Sequence, residues 1–275
     1  MEIPTFHTKE EMFKFLKENK SILIAEKKLK TKEADSINYS VPVVNKSGEA
    51  IKDVSNSEIQ DIGLIKAKVI INTTGLLDSH GDVHIKGIWK KSLSEKKNLY
   101  LLQEHQMKFD KIITDKVKAS AVNYTWKDLG FSFEGSTEAL QFDCEVYPER
   151  NEFMYNQYVK GYVNNHSVGM QYVTMFLCIN SDSKYYIEEK ENFDKYIKQV
   201  ANKEVAEELG YFWAVTEAKV IEGSAVVIGS NYATPTISIT QSKHTEPPIG
   251  THKEEPVITT QKTIDYKFLN NNLKK

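Results

Sequence analysis

Two segments constrain this fold more than any others. VNNHSVGMQYVTMFLCI (residues 163–179) and FWAVTEAKVIEGSAVVIGSN (residues 212–231) are rich in Val, Ile, Thr and aromatic side chains. Such residues suit a pleated, half-buried surface, so both segments are expected to be strands. Between them lies EEKENFDKYIKQVANKEVAEELG, with Phe193, Ile197, Val200, Val205 and Leu209 near helical spacing and Gly210 as a stop. That pattern predicts one long helix.

Upstream, LIKAKVIINTTG (residues 64–75), Leu99–Gln103, Ala119–Trp126, Gly130–Glu134 and Leu140–Tyr147 read as further strands. PERNEFMYNQYVKG reads as a helix opened by Pro148 and stopped by Gly161. At the N-terminus, Thr8 and Glu11 form a capping-box pattern ahead of Met12, Phe13, Phe15 and Leu16, which predicts a helix ending near Asn19. ILIAEKK, just after it, fits helix or strand equally. Many strands with a few helices imply an α+β, β-dominated fold, as an antiparallel β-barrel or sandwich with packed helices. We divide the chain into an N-terminal extension (residues 1–60), a main domain (61–239) and a polar, Pro-containing tail (240–275) expected to be flexible.

Bulk properties exclude some classes. A net charge of −2 over 275 residues gives no electrostatic case for nucleic acid as the main partner. No apolar run of about 18 residues occurs, and the first residues lack a signal-peptide core, so no membrane association is expected. Cys144 and Cys178 are the two cysteines and form no CxxC motif. A reducing, aqueous compartment is expected.

DSHGDVH (residues 78–84) places Asp78, His80, Asp82 and His84 at alternating positions, which on a strand would share one face. Gly81 in the middle makes a turn at least as good a reading as a regular strand. The structural reading is preferred, and neither a metal nor another cofactor is expected.

Four ordered elements carry a further signal. They are Gly81-Asp82 with Gly87 and Trp89, then Leu101-Leu102-Gln103-Glu104-His105, then Ser167-Val168-Gly169-Met170, and last Glu222-Gly223-Ser224 running on to Ser230-Asn231. Over residues 65–235 this set resembles the prohead (capsid maturation) serine proteases of tailed bacteriophages, which are related in fold to the herpesvirus assemblins. The chain departs from the family pattern at Gly223, where Val is usual, at Gly229-Ser230, where Pro-Ala is common, and in the helical segment 188–209.

The resemblance implies an assemblin-like, mainly antiparallel β-barrel flanked by helices, with residues 78–84 structural and Asp82 accepting backbone N–H groups. It also implies a serine endopeptidase that cuts the scaffold protein, scaffolding segments of the major capsid protein, and itself. The place of action would be the immature prohead in the host bacterial cytoplasm, and homodimerisation is implied in the same way. A serine hydroxyl needs a base within hydrogen-bond reach, and the base needs an orienting acceptor. Ser167 is accordingly the expected nucleophile, His105 the general base and Glu222 the orienting acid, with Glu217 as the alternative third member. Gly169 is expected to leave room for a substrate backbone. The oxyanion needs preorganised donors, and the resemblance to the assemblin arrangement implies the backbone N–H groups of Ser230 and Asn231. His166 should point to the sheet face opposite Ser167. The alternative reading is a structural or scaffolding head protein that keeps the fold without turnover.

Overall fold

The computed structural model describes residues 4–29, 63–95 and 98–241. In chain order these form α1 (Lys9–Glu18), α2 (Lys20–Leu29), β1 (Ile65–Thr73), β2 (Asp82–His84), α3 (Lys90–Ser94), β3 (Leu101–Gln103), β4 (Ile112–Thr114), β5 (Val117–Thr125) and β6 (Ser136–Val146). Then come α4 (Glu152–Val159), β7 (His166–Ile179), α5 (Ile187–Tyr196), α6 (Lys203–Leu209), β8 (Tyr211–Ala225) and β9 (Thr236–Gln241). The protein is α+β with many strands in antiparallel pairs.

One sheet is antiparallel throughout, in the order β5-β6-β1-β9. The other is mixed. Its long axis is the β7–β8 antiparallel pair, while the short strands β2 and β3 run parallel to β8 on its far side and β4 pairs with β3. A single apolar cluster draws on both sheets, including Val69, Ile71, Leu140, Phe142, Val168, Met170, Val215 and Val220. Gly223 marks their close approach. A Cβ there would lie 2.6 Å from Phe142 Cε2 and 2.9 Å from Ile71 Cδ1. This accounts physically for a glycine at 223: the space is filled from the facing sheet.

Local rules explain most elements. Thr8 caps α1 by accepting the Glu11 N–H, as its spacing predicts, and Asn19 is the C-cap. The ambiguous ILIAEKK is helical, within α2. Asn151, rather than Pro148, caps α4.

Three expectations need correction. Gly130–Glu134 is not a strand. Gly130 is left-handed, and Phe131 and Phe133 stack at 6.3 Å while packing against Trp126, so their alternation reflects an aromatic cluster rather than a pleat. The helix expected over 188–209 is broken. Between α5 and α6, the Ala201 N–H donates to Gly75 O, and the Asn202 side chain pairs with both backbone groups of Leu77. Finally, the chain beyond 235 adds an edge strand, β9, that propensity missed. Apart from Thr240 and Gln241, the expected tail lies outside the described residues.

Within the expected N-terminal extension, residues 30–60 lie outside the described residues, while α1 and α2 join the main body. Phe13, Leu16 and Leu23 are buried in the shared core. Lys17 and Lys20 reach Glu189 on α5 at 2.8 and 3.0 Å, and Lys27 reaches Asp82 at 2.6 Å. Burial alone would raise the Glu189 pKa, but hydrogen bonds from the two lysines more than reverse this and hold it below the ordinary value. Its stabilising contribution is therefore complete above the usual glutamate pKa and lost as pH falls through the depressed folded value. We expect Glu189→Gln to lower unfolding free energy by about 1–3 kcal/mol at pH 7, measured by urea denaturation. The gap between variant and wild type should close in acid. An equal gap at low pH would refute this account.

No helix among the described residues is long and apolar enough to cross a membrane. Cys144 and Cys178 are both buried and free.

Candidate functional site

β3 delivers His105. Leu102 lies opposite Ser224 and Gln103 opposite Ala225 on β8, and the Glu104 N–H donates to Ala225 O at 2.9 Å. The chain then turns sharply. Glu104 and His105 are consecutive left-handed residues, with φ of 51° and 56°, and Gln106 N–H closes the turn on Gln103 O. Neither is glycine, so each costs roughly 1–3 kcal/mol and persists only because its surroundings enforce it.

The surroundings are polar and specific. The His105 backbone N–H donates to Ser224 Oγ at 3.1 Å, and its Nδ1 lies 2.6 Å from Glu222 Oε1. A carboxylate only accepts, so His105 Nδ1 carries a proton and donates it to Glu222. Nε2 is buried and has no hydrogen-bond partner among the described residues. The second carboxylate oxygen, Oε2, accepts from Ser224 Oγ at 2.6 Å. Glu222 is 2% exposed, so this is an interior arrangement.

Sheet register relates Ser167 to Ser224 and Glu222. On β7, Ser167 lies opposite Ser224 and Gly169 opposite Glu222. Residues directly opposite one another project to the same face, with Cβ atoms roughly 4.5–5.5 Å apart. Ser167 thus shares a face with Glu222 and Ser224. The hydrogen bond between Ser167 Oγ and His105 Nε2 is not formed.

The structure revises the reading of Gly169. A Cβ there would sit 2.0 Å from Glu222 Oε1 and 2.7 Å from its Cδ. The missing side chain makes room for the carboxylate, not for a substrate backbone. Glu217 lies elsewhere on β8, opposite Thr174, and pairs with Lys91 at 2.8 Å. Of the two acids, Glu222 is the one joined to the imidazole.

His166 points away, as alternation requires, and is fully buried. Its Nδ1 donates to Thr234 O at 3.1 Å, so Nε2 accepts from the Tyr158 hydroxyl at 3.0 Å. Burial, partly offset by the Thr234 bond, lowers its pKa from 6.5 to about 4. The neutral ring is favoured in the fold, so its contribution is full above pH 6.5, shrinks as pH falls, and is gone below about pH 4. The loss amounts to about 3 kcal/mol. Chemical denaturation between pH 7 and pH 4 should show it, and His166→Asn, uncharged throughout, should lack that component. An unchanged acid slope in the variant would contradict it.

The segment after β8 is held in place by side chains. Asn231 accepts from the Thr73 hydroxyl at 3.0 Å and donates to Thr73 O at 2.8 Å, while Gly229 lies close to His166 O. The Ser230 and Asn231 backbone N–H groups make no hydrogen bond among the described residues.

DSHGDVH forms a turn with Gly81 at φ 71°, and only Asp82–His84 is strand. Asp78 does what was expected of Asp82, its Oδ1 accepting the His80 and Asp82 N–H groups at 2.9 and 3.0 Å. Asp82 instead takes Lys27 and the Tyr172 hydroxyl, and His84 bonds Asn72 and Tyr172. No group of three or more His, Cys, Asp or Glu residues among the described residues could hold a metal.

Sequence reasoning missed Ser224. Its signal was the Glu-x-Ser spacing, which puts both side chains on one strand face. No family model, curated protein or solved structure matches the chain.

Proposed function

We propose that the chain is a serine endopeptidase of the prohead maturation type. It would cleave the scaffold protein, or scaffolding segments of the major capsid protein, inside an immature phage shell in the bacterial cytoplasm. One observation carries this reading: an imidazole is fixed at Nδ1 by Glu222 of β8, the strand paired with the one bearing Ser167, and its buried Nε2 has no hydrogen-bond partner among the described residues.

In this mechanism His105 Nε2 removes the Ser167 proton as the hydroxyl oxygen attacks the scissile carbonyl. Glu222 stabilises the imidazolium without itself taking the proton. The backbone N–H groups of Ser230 and Asn231 face the developing oxyanion. His105 then protonates the leaving amine, and water hydrolyses the acyl-enzyme. In this reading the two sheets are the halves of an assemblin-like barrel.

The test is reaction of the full chain with a fluorophosphonate probe, followed by mass spectrometry of the labelled peptide. Labelling at Ser167, lost on denaturation, is expected. A folded protein that neither labels nor cleaves a scaffold substrate sinks the proposal. The absent Ser167–His105 bond favours a second reading, a head component without turnover. That protein would remain stoichiometric in mature particles.

A further inference from the structure

We infer that Ser224 is a positioning residue that aligns both partners of the Glu222–His105 pair through one hydroxyl. The inference rests on the serine-hydrolase reading above. A hydroxyl has one proton to give and two lone pairs. Ser224 gives its proton to Glu222 Oε2 at 2.6 Å and accepts the His105 backbone N–H at 3.1 Å. It is fully buried, so water does not compete for either bond.

The two bonds solve two separate problems. A carboxylate held by one oxygen can rotate about its terminal torsion, which is broad for glutamate. Anchoring Oε2 fixes the carboxylate plane, and with it the direction from which Oε1 meets Nδ1. His105 sits in a left-handed conformation that a histidine does not favour. The Ser224 acceptor holds its N–H there, and so fixes where the ring starts. Because Ser224 is opposite Ser167 in the β7–β8 register, the same residue references the imidazole to the strand that carries the nucleophile.

A purely structural role, satisfying buried polar atoms, predicts only lost stability for Ser224→Ala. A positioning role predicts more. The full-length variant should lose about 10–100-fold in kcat, the equivalent of one hydrogen bond to a charged group, with KM nearly unchanged. Its rate of fluorophosphonate labelling should fall in parallel, and Ser224→Cys, a weaker donor of similar size, should fall between. By proton NMR, the downfield resonance of the short His105 Nδ1–H bond should shift or broaden in Ser224→Ala. An unshifted resonance with an unchanged labelling rate overturns the inference. A wild type that never labels refutes the hydrolase reading alone, since the NMR comparison still decides whether Ser224 orders the pair. Should the alanine variant fail to fold, the cysteine variant carries the same comparison.

Discussion

Alanine at Ser167 is expected to abolish peptide hydrolysis, lowering kcat by about 10⁴–10⁶-fold while the fold survives. His105→Ala should be nearly as severe, and the double variant no worse than the more damaging single one. In the proposed mechanism nucleophile and base act as a unit, so removing either would disable the same step. The measurement is cleavage of a scaffold substrate by purified protein, with circular dichroism to verify folding. Ser167 is small and only 8% exposed, so its hydroxyl can be removed with little change in packing. Equal losses in both single variants but additive loss in the double would show that they act in different steps, and the proposed chemistry would fail.

The second large effect is expected at Gly169. An alanine there brings Cβ to 2.0 Å from Glu222 Oε1, closer than any real contact. Either β7 separates from β8 or the carboxylate leaves its place. The carboxylate is the softer of the two, so Gly169→Ala should cost about 1–3 kcal/mol of stability and at least about 10²-fold in activity. A second substitution separates the two losses. Adding Glu222→Ala removes the colliding atoms, so stability should recover while activity should not. Denaturation curves and cleavage rates on the four proteins of this cycle check both statements. If Gly169→Ala alone were fully active, Glu222 would have no part in orienting the imidazole.

How much of this was legible follows from where each signal is written. β1, β5, β6, β7 and β8 could be read because their own residues are β-branched, aromatic or apolar in runs. The break between α5 and α6 could not. It is made by Asn202 reaching back to Leu77, a partner 125 residues away, while the local sequence keeps helical spacing. β9 was missed because Thr236–Gln241 is a half-exposed edge with little apolar content. Phe131 and Phe133 misled in the opposite sense, since alternation alone does not distinguish a strand from a stacked loop.

The site shows the same division. His105, Ser167 and Glu222 were singled out by ordered motifs, and the structure joins His105 to Glu222 by a hydrogen bond. The choice between Glu222 and Glu217 depended on strand register, and β7–β8 slips register between Gly169 and Met170 and twice between Tyr172 and Met175. No count along one strand could have resolved that. Gly169 and Ser224 were misread or missed for a related reason, because each acts on a residue of another strand.

The glycine at 223 has one more consequence. It stands between Glu222 and Ser224, with the Phe142 ring resting directly on its backbone. The spacing between the two layers is therefore gauged at the same point of the chain that aims the imidazole. Any bulk introduced there would act as a shim, lifting one layer off the other and tilting the acid and the hydroxyl together. The fit between the layers and the alignment of the acid with the imidazole are thus coupled through a single ring.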